Sequence, residues 1–192
     1  MKELYGIFED TSSLPKLTSL QMQLNPEEFG IMWRHCDVFS KLITDYAGTF
    51  LQEKRDSRYT SRNWFGLKDS ISYLANEMLE NALKFRDGGE ISFQIDILES
   101  QVVFFVTNII HKSKVAKFQE LLLYYGSKPA EDILLETLEK NSTGDSKASA
   151  IGLLTIINDH EAKVSWEFEP LDPMTDFIKV TTSARLSTIA KG

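Results

Sequence analysis

The chain has 192 residues, room for one domain. It carries 21 Lys and Arg against 28 Asp and Glu, a formal net charge of −7 with no basic run, which excludes the electrostatic footprint of a nucleic-acid binder. Cys36 is its one cysteine, so intramolecular disulfides are excluded, and the longest uncharged apolar stretch, Ala148 to Ile157, is too short to span a membrane. The opening Met1-Lys2-Glu3-Leu4 has no apolar signal core, and the expectation is a cytoplasmic protein.

In chain order, residues 1–16 read as an N-terminal arm rich in Ser, Thr and acidic residues, and Leu17 to Leu24 as a strand. Asn25 is a helix cap, Pro26 suits the first helical position, and Glu28 completes a capping box. Apolar residues then recur at helical spacing from Phe29 through Met32, Trp33, Cys36 and Ile43 to Phe50. Glu53 to Asn63 is polar and reads as a connection. A second helix starts between Asn63 and Asp69, buries Ile71, Leu74, Ala75, Met78, Ala82 and Phe85, and ends at Asp87-Gly88-Gly89.

Ile91, Phe93, Ile95 and Ile97 alternate with polar residues as in a half-buried strand, and Val102 to Val106 is apolar on both faces, as in a central one. Two helices, Val115 to Tyr125 and Ala130 to Leu138, are separated at Gly126 and restarted by Pro129. Asn141 to Ser149 is a small-residue loop and Ile151 to Asn158 a short buried helix. Alternation at Val164, Trp166 and Phe168, and again at Ile178, Val180 and Thr182, predicts two closing strands. Adjacent strand pairs mixed with helices predict an α+β fold, a two-layer sandwich with a mixed sheet covered by helices on one face.

Tyr73 to Phe85 (YLANEMLENALKF) is the segment richest in chemistry. Glu77 and Asn81 are four apart and share a helix face, with Lys84 three further on the same side. An amide oxygen at Asn81 can ligate Mg²⁺, Glu77 can orient a water or hydroxyl, and Lys84 can meet a phosphate. On spacing alone, the same residues also read as a solvated helix edge with a Glu80–Lys84 pair. His35 and Cys36 point apart on their helix, and His111 and His160 lack ligand spacing, so Mg²⁺ is the only metal suggested. Cys36, on an apolar stripe, reads as a buried, inert thiol.

The Glu77-x-x-x-Asn81-Ala82 pattern resembles the N-box of the GHKL (Bergerat-fold) superfamily of ATPases and kinases. Its form is similar to the ATPase and anti-sigma serine-kinase branches, and more narrowly to stand-alone bacterial SiaB-like kinases of partner-switching signalling. In the family's order, Val102 to Asn108 occupies the place of the strand leading to the adenine-binding turn, and Ala148 to Ile157 that of the second glycine box. The resemblance spans about Leu17 to Leu186. It implies Mg-ATP as cofactor, with Asn81 holding Mg²⁺, Glu77 as general base, and Lys84, Ser149 and Gly152 near the phosphates. Asn108 would accept from the adenine.

Two departures stand beside this match. Asn108-Ile109-Ile110-His111 replaces an acidic residue and glycines, and in the second box only Gly152 remains, with Ala148 and Ala150 where glycines would sit. The resemblance therefore implies an ATP-binding regulatory protein similar to a serine/threonine kinase, acting on a partner protein. The alternative is a non-catalytic sensor or binding module on the same fold, holding a flavin nucleotide or acting through protein partners alone. By analogy, the family also allows a homodimer through the N-terminal strand.

Overall fold

The computed structural model describes residues 2–8, 10–29, 35–52, 64–142 and 148–189. Strand β1 (Glu3–Tyr5) and the arm lead to β2 (Thr18–Leu24) and one helical turn, α1 (Pro26–Phe29). Two long helices follow, α2 (Cys36–Gln52) and α3 (Trp64–Phe85), then the hairpin of β3 (Ile91–Ile97) and β4 (Gln101–His111). A 3₁₀ turn at Lys112–Lys114 opens into α4 (Val115–Gly126), α5 (Ala130–Ser142) and α6 (Ala148–Asn158). The hairpin β5 (Lys163–Pro170) and β6 (Phe177–Ser187) closes the fold. The expected helical positions Met32 and Trp33, the connection 53–63 and the loop residues 143–147 lie outside the described residues.

The fold is an α+β sandwich built on one six-stranded sheet in the order β1-β5-β6-β4-β3-β2. Every pairing is antiparallel, where a mixed sheet was expected. The connections explain the difference. Two helices between β2 and β3 reverse the chain twice and return it antiparallel, whereas a single crossover helix would have made a parallel pair. Three helices separate β4 from β5, which do run the same way, but β6 lies between them.

One face of the sheet carries the core. Phe93, Ile95, Phe104, Val106, Ala184 and Leu186 meet Ile43, Ala47, Ile71, Leu74 and Met78 of α2 and α3. Phe93 and Phe104 are both fully buried, with ring centroids 6.3 Å apart edge to face, and each such side chain contributes about 1.5–3 kcal/mol of burial. Farther along the same face, Ile110, Trp166, Phe168 and Val180 pack under Leu122 and Phe118 of α4.

The other face is polar and is overlaid by the arm. Asp96 of β3 points there and is wholly buried. Its carboxylate accepts from Thr11, from Ser19 Oγ, from Gln94 Nε2 at 2.9 Å, and from Lys16 Nζ at 2.7 Å. Burial alone would raise this acid, but the Lys16 ammonium and the three neutral donors outweigh it and hold the carboxyl below its usual range. Residues 11–19 are thereby clasped onto β3.

Candidate functional site

Helix α3 ends where glycine is required. Gly88 and Gly89 have φ of 114° and 73°, left-handed values that other residues adopt only at a cost. The turn they make is tied to the end of β4. The Asp87 N–H donates to the Ile109 carbonyl at 2.8 Å, and the His111 N–H donates to Asp87 Oδ2 at 2.8 Å. The Lys114 ammonium, and then the His111 N–H, hold the Asp87 carboxyl below its ordinary range.

These bonds anchor the C-terminal end of α3, and Glu77 lies farther back along the same helix. Its side chain is half-buried and lies against Gly152 of α6. A Cβ built on Gly152 would come within 1.8 Å of Glu77 Oε2 and 2.6 Å of its Cδ, so the carboxylate occupies the space that glycine leaves open. Burial pushes the Glu77 carboxyl above its ordinary range, the charge of Glu80 adds to this, and Lys84 opposes it. Two residues 75 positions apart in sequence, drawn from two different motifs of the same resemblance, are thus in contact.

The other sequence-selected residues are placed less uniformly. Asn81 is half-buried, one turn along α3 from Glu77. Lys84 is exposed at the end of the helix, with its Nζ 5.4 Å above the Phe85 ring. Ser149 lies in the first turn of α6, ahead of Gly152. Asn108 is buried, but it is not at a turn: β4 runs on through His111, with Asn108 opposite Val180, Ile109 opposite Lys179 and Ile110 opposite Ile178. The expected end of the strand near Asn108 is therefore corrected. The β-branched Ile109 and Ile110 favour extended backbone, and β6 supplies a ladder partner for each residue. Alternation along β4 turns Asn108 toward the helices, between Val106 and Ile110.

Several polar residues of this region were missed. Tyr73, one turn before Glu77, hydrogen-bonds Thr155 of α6, and its phenol is pushed up by burial and then by the Glu77 charge. The His160 ring lies 4.7 Å from that of Tyr73, and its Nδ1 pairs with Ser70 Oγ at 3.0 Å. Ser70, Tyr73 and Glu77 follow the i, i+3, i+7 spacing of one helix face, so a periodicity search restricted to polar residues would have found the α3 side of the seam, though not its pairing with α6. Asn76, also on α3, has a buried Oδ1 without a hydrogen-bond partner among the described residues, and its Nδ2 donates to Glu80 Oε1 at 2.8 Å. Cys36 is buried, which pushes its thiol up to about 11.

Among the described residues, no group of three or more His, Cys, Asp or Glu side chains is arranged to hold a metal. Mg²⁺ needs fewer protein ligands when phosphates supply the remaining oxygens, and the amide oxygen of Asn81 is a hard donor of the kind it takes. The hard-oxygen chemistry fits. The adenine side fits less well, because the strand at Asn108–His111 offers no glycine turn for close backbone approach. Among the described residues, no helix is long and apolar enough to cross a membrane.

No family model and no curated protein matches the chain. Among solved structures, the chain is similar to one in the crystal structure of the SiaB–SiaC complex from Pseudomonas aeruginosa. The TM-score is 0.58 at 12% sequence identity, and the match covers 92% of this chain and 93% of the other. At that identity the likeness shows a shared fold.

Proposed function

We propose that this chain is a regulatory protein of the partner-switching kind, and that the seam between α3 and α6 takes Mg-ATP and passes its γ-phosphoryl group to a Ser or Thr of a protein partner. The fold likeness to a chain from a two-protein assembly supports the coarser part of this reading. The observation that carries the finer part is the contact between the half-buried Glu77 carboxylate and Gly152. A carboxylate made more basic by partial burial is suited to accept a hydroxyl proton. Asn81, one turn on, would hold Mg²⁺, which when bound neutralises phosphate charge. Lys84 is long enough to swing from the Phe85 ring to a phosphate, and the first-turn amides of α6, at Ser149 and its neighbours, suit anionic oxygens.

The test begins with the small molecule released on denaturing freshly purified protein, identified by mass spectrometry, and continues with Mg-ATP titration. Asn81→Ala is expected to weaken Mg²⁺-dependent ATP binding more than tenfold, and Glu77→Ala to spare binding while abolishing transfer. ATP affinity that is independent of Mg²⁺ and of Asn81 would sink this reading.

A second reading, a non-catalytic binding module, is favoured by one specific observation: β4 continues as a paired strand through Asn108 to His111. A site without the adenine turn would favour a different flat ligand, such as a flavin nucleotide, or a protein partner alone. A released flavin, together with ligand binding indifferent to Glu77→Ala, would establish it over the first.

A further inference from the structure

The polar face of the sheet, opposite the α3–α6 seam, holds an open, shallow cavity of about 670 Å³ between the arm and four strands. Its floor is set by register. Gln23 stands opposite Ser92, Ser92 opposite Thr107, and Thr107 opposite Thr181, so one straight row of neutral hydrogen-bonding side chains crosses β2, β3, β4 and β6. At the ~4.8 Å strand spacing this row is about 14 Å long. A neighbouring row adds Gln21 opposite Gln94, which is itself opposite Phe105.

Apolar groups flank this row. On β4 itself Phe105 and Ile109 stand on either side of Thr107, Phe8 of the arm packs on Phe105 with ring centroids 5.9 Å apart, and Leu171 lines the cavity as well. The charges that line it cancel: Lys16 and Lys179 against Asp10 and Glu90. Lys16 is engaged with buried Asp96 at 2.7 Å, and Lys179 lies 3.9 Å from Glu169 in a looser, exposed pair. An anion would find Lys16 committed to Asp96, Lys179 loosely paired with Glu169, and two carboxylates in its way. A neutral ligand with many hydroxyls would find carboxamides and hydroxyls that both donate and accept, with aromatic rings against its C–H faces.

We propose that this cavity binds a neutral, hydroxyl-rich ligand, a short oligosaccharide lying across the strands on the Gln23–Ser92–Thr107–Thr181 row. The site is separate from the α3–α6 seam, and its test does not depend on ATP. The Thr107 and Thr181 hydroxyls, 2.9 Å apart, form the centre of the floor. The clasp at Asp96 keeps the arm, and Phe8 with it, in place as a wall.

The probes are maltotriose, cellotriose and glucose, with glucose 6-phosphate as the charged comparison, followed by calorimetry and by saturation-transfer NMR on the full chain. Saturable binding of a neutral trisaccharide is expected, weakened about tenfold or more in Thr107→Val/Thr181→Val, which keeps the β-branched shape and removes both hydroxyls. Phe8→Ala, which lies outside the ladder, is expected to weaken it several-fold and stands in if the double variant does not fold. No saturable binding of any neutral probe up to about 20 mM, a range covering even millimolar affinities, would overturn the proposal. Affinity unchanged in a folded double variant and in Phe8→Ala, or preference for the phosphorylated sugar, would also overturn it.

Discussion

Asp96 and Glu77 are carboxylates withdrawn from water on opposite sides of the same sheet, and their surroundings treat charge in opposite ways. Asp96 is completely buried, yet four donors, one of them an ammonium, hold it ionised. Glu77 is only half-buried, yet burial and the nearby Glu80 push it toward the neutral form. Depth does not decide acidity here; the number and kind of donors does. The two faces divide along the same line. The helix-covered face stabilises by apolar packing and leaves its polar residues at the α3–α6 seam, whereas the arm-covered face is held by a saturated polar network.

The comparison breaks most visibly at adjacent residues. Phe104 points into the helix-side core and is fully buried, while Phe105 points to the polar face and is half-buried. Phe104→Ala is expected to cost about 3–5 kcal/mol and Phe105→Ala about 1 kcal/mol, read from urea unfolding. Equal costs would mean that the arm builds a second core on the polar face.

Next in size is the clasp. Asp96→Asn removes the charge that Lys16, Thr11, Ser19 and Gln94 are arranged around, and should cost about 2 kcal/mol at neutral pH. The folded acidity lies below the unfolded value of about 3.9. The stabilisation is therefore complete above the unfolded value and is lost as pH falls through the folded one. The gap between wild type and variant should close below about pH 4. A gap that stays constant through acid would show that the hydroxyls, not the ionised carboxylate, hold the arm.

Gly152→Ala sharpens the other side. The added Cβ would meet Glu77 Oε2 at 1.8 Å, so the glutamate must swing away. Overpacking costs about 1–3 kcal/mol, and the gain in helix propensity returns up to about 1 kcal/mol, leaving a net loss of about 1 kcal/mol. In a Glu77→Ala background the obstruction is gone, and the same change should stabilise by up to about 1 kcal/mol. A sign reversal in this double-mutant cycle, measured by chemical unfolding, is the expected result; additive effects would mean that the contact does not form.

Periodicity made much of the fold legible before the structure was known. The strand Ile91–Ile97, the long helix ending before Gly88 and the break at Gly126 are where the pattern of apolar residues and glycines put them. The extension of β4 past Val106 was missed because the strand was read from the run apolar on both faces, which polar Thr107 and Asn108 interrupt, and the familial pattern then put a turn after Asn108, although Ile109 and Ile110 are poor turn residues. At the seam, Glu77 and Gly152 were visible one at a time, but not their contact, since nothing in local spacing links residues on separate helices. The clasp was invisible for a similar reason. Asp96 reads as an outward polar residue on an alternating strand, and only the path of the arm buries it.

The smallest expected effect concerns Glu77 itself. Its folded acidity lies above the unfolded value of about 4.3. Its favourable contribution is therefore present below that pH and is lost as pH rises through the folded value, the reverse of Asp96. Glu77→Gln keeps the shape and removes the ionisation. The variant should match wild type near pH 4 and be slightly more stable at pH 7, by within about 0.5 kcal/mol. Paired urea midpoints at the two pH values decide it. If the glutamine is the better residue for folding at neutral pH, stability is no reason for a carboxylate at position 77, and its proton-accepting chemistry against Gly152 is the remaining account of it. If the glutamine is worse at both pH values, the carboxylate is a structural acceptor of the α3–α6 seam, and the proposed general-base role of Glu77 loses its support.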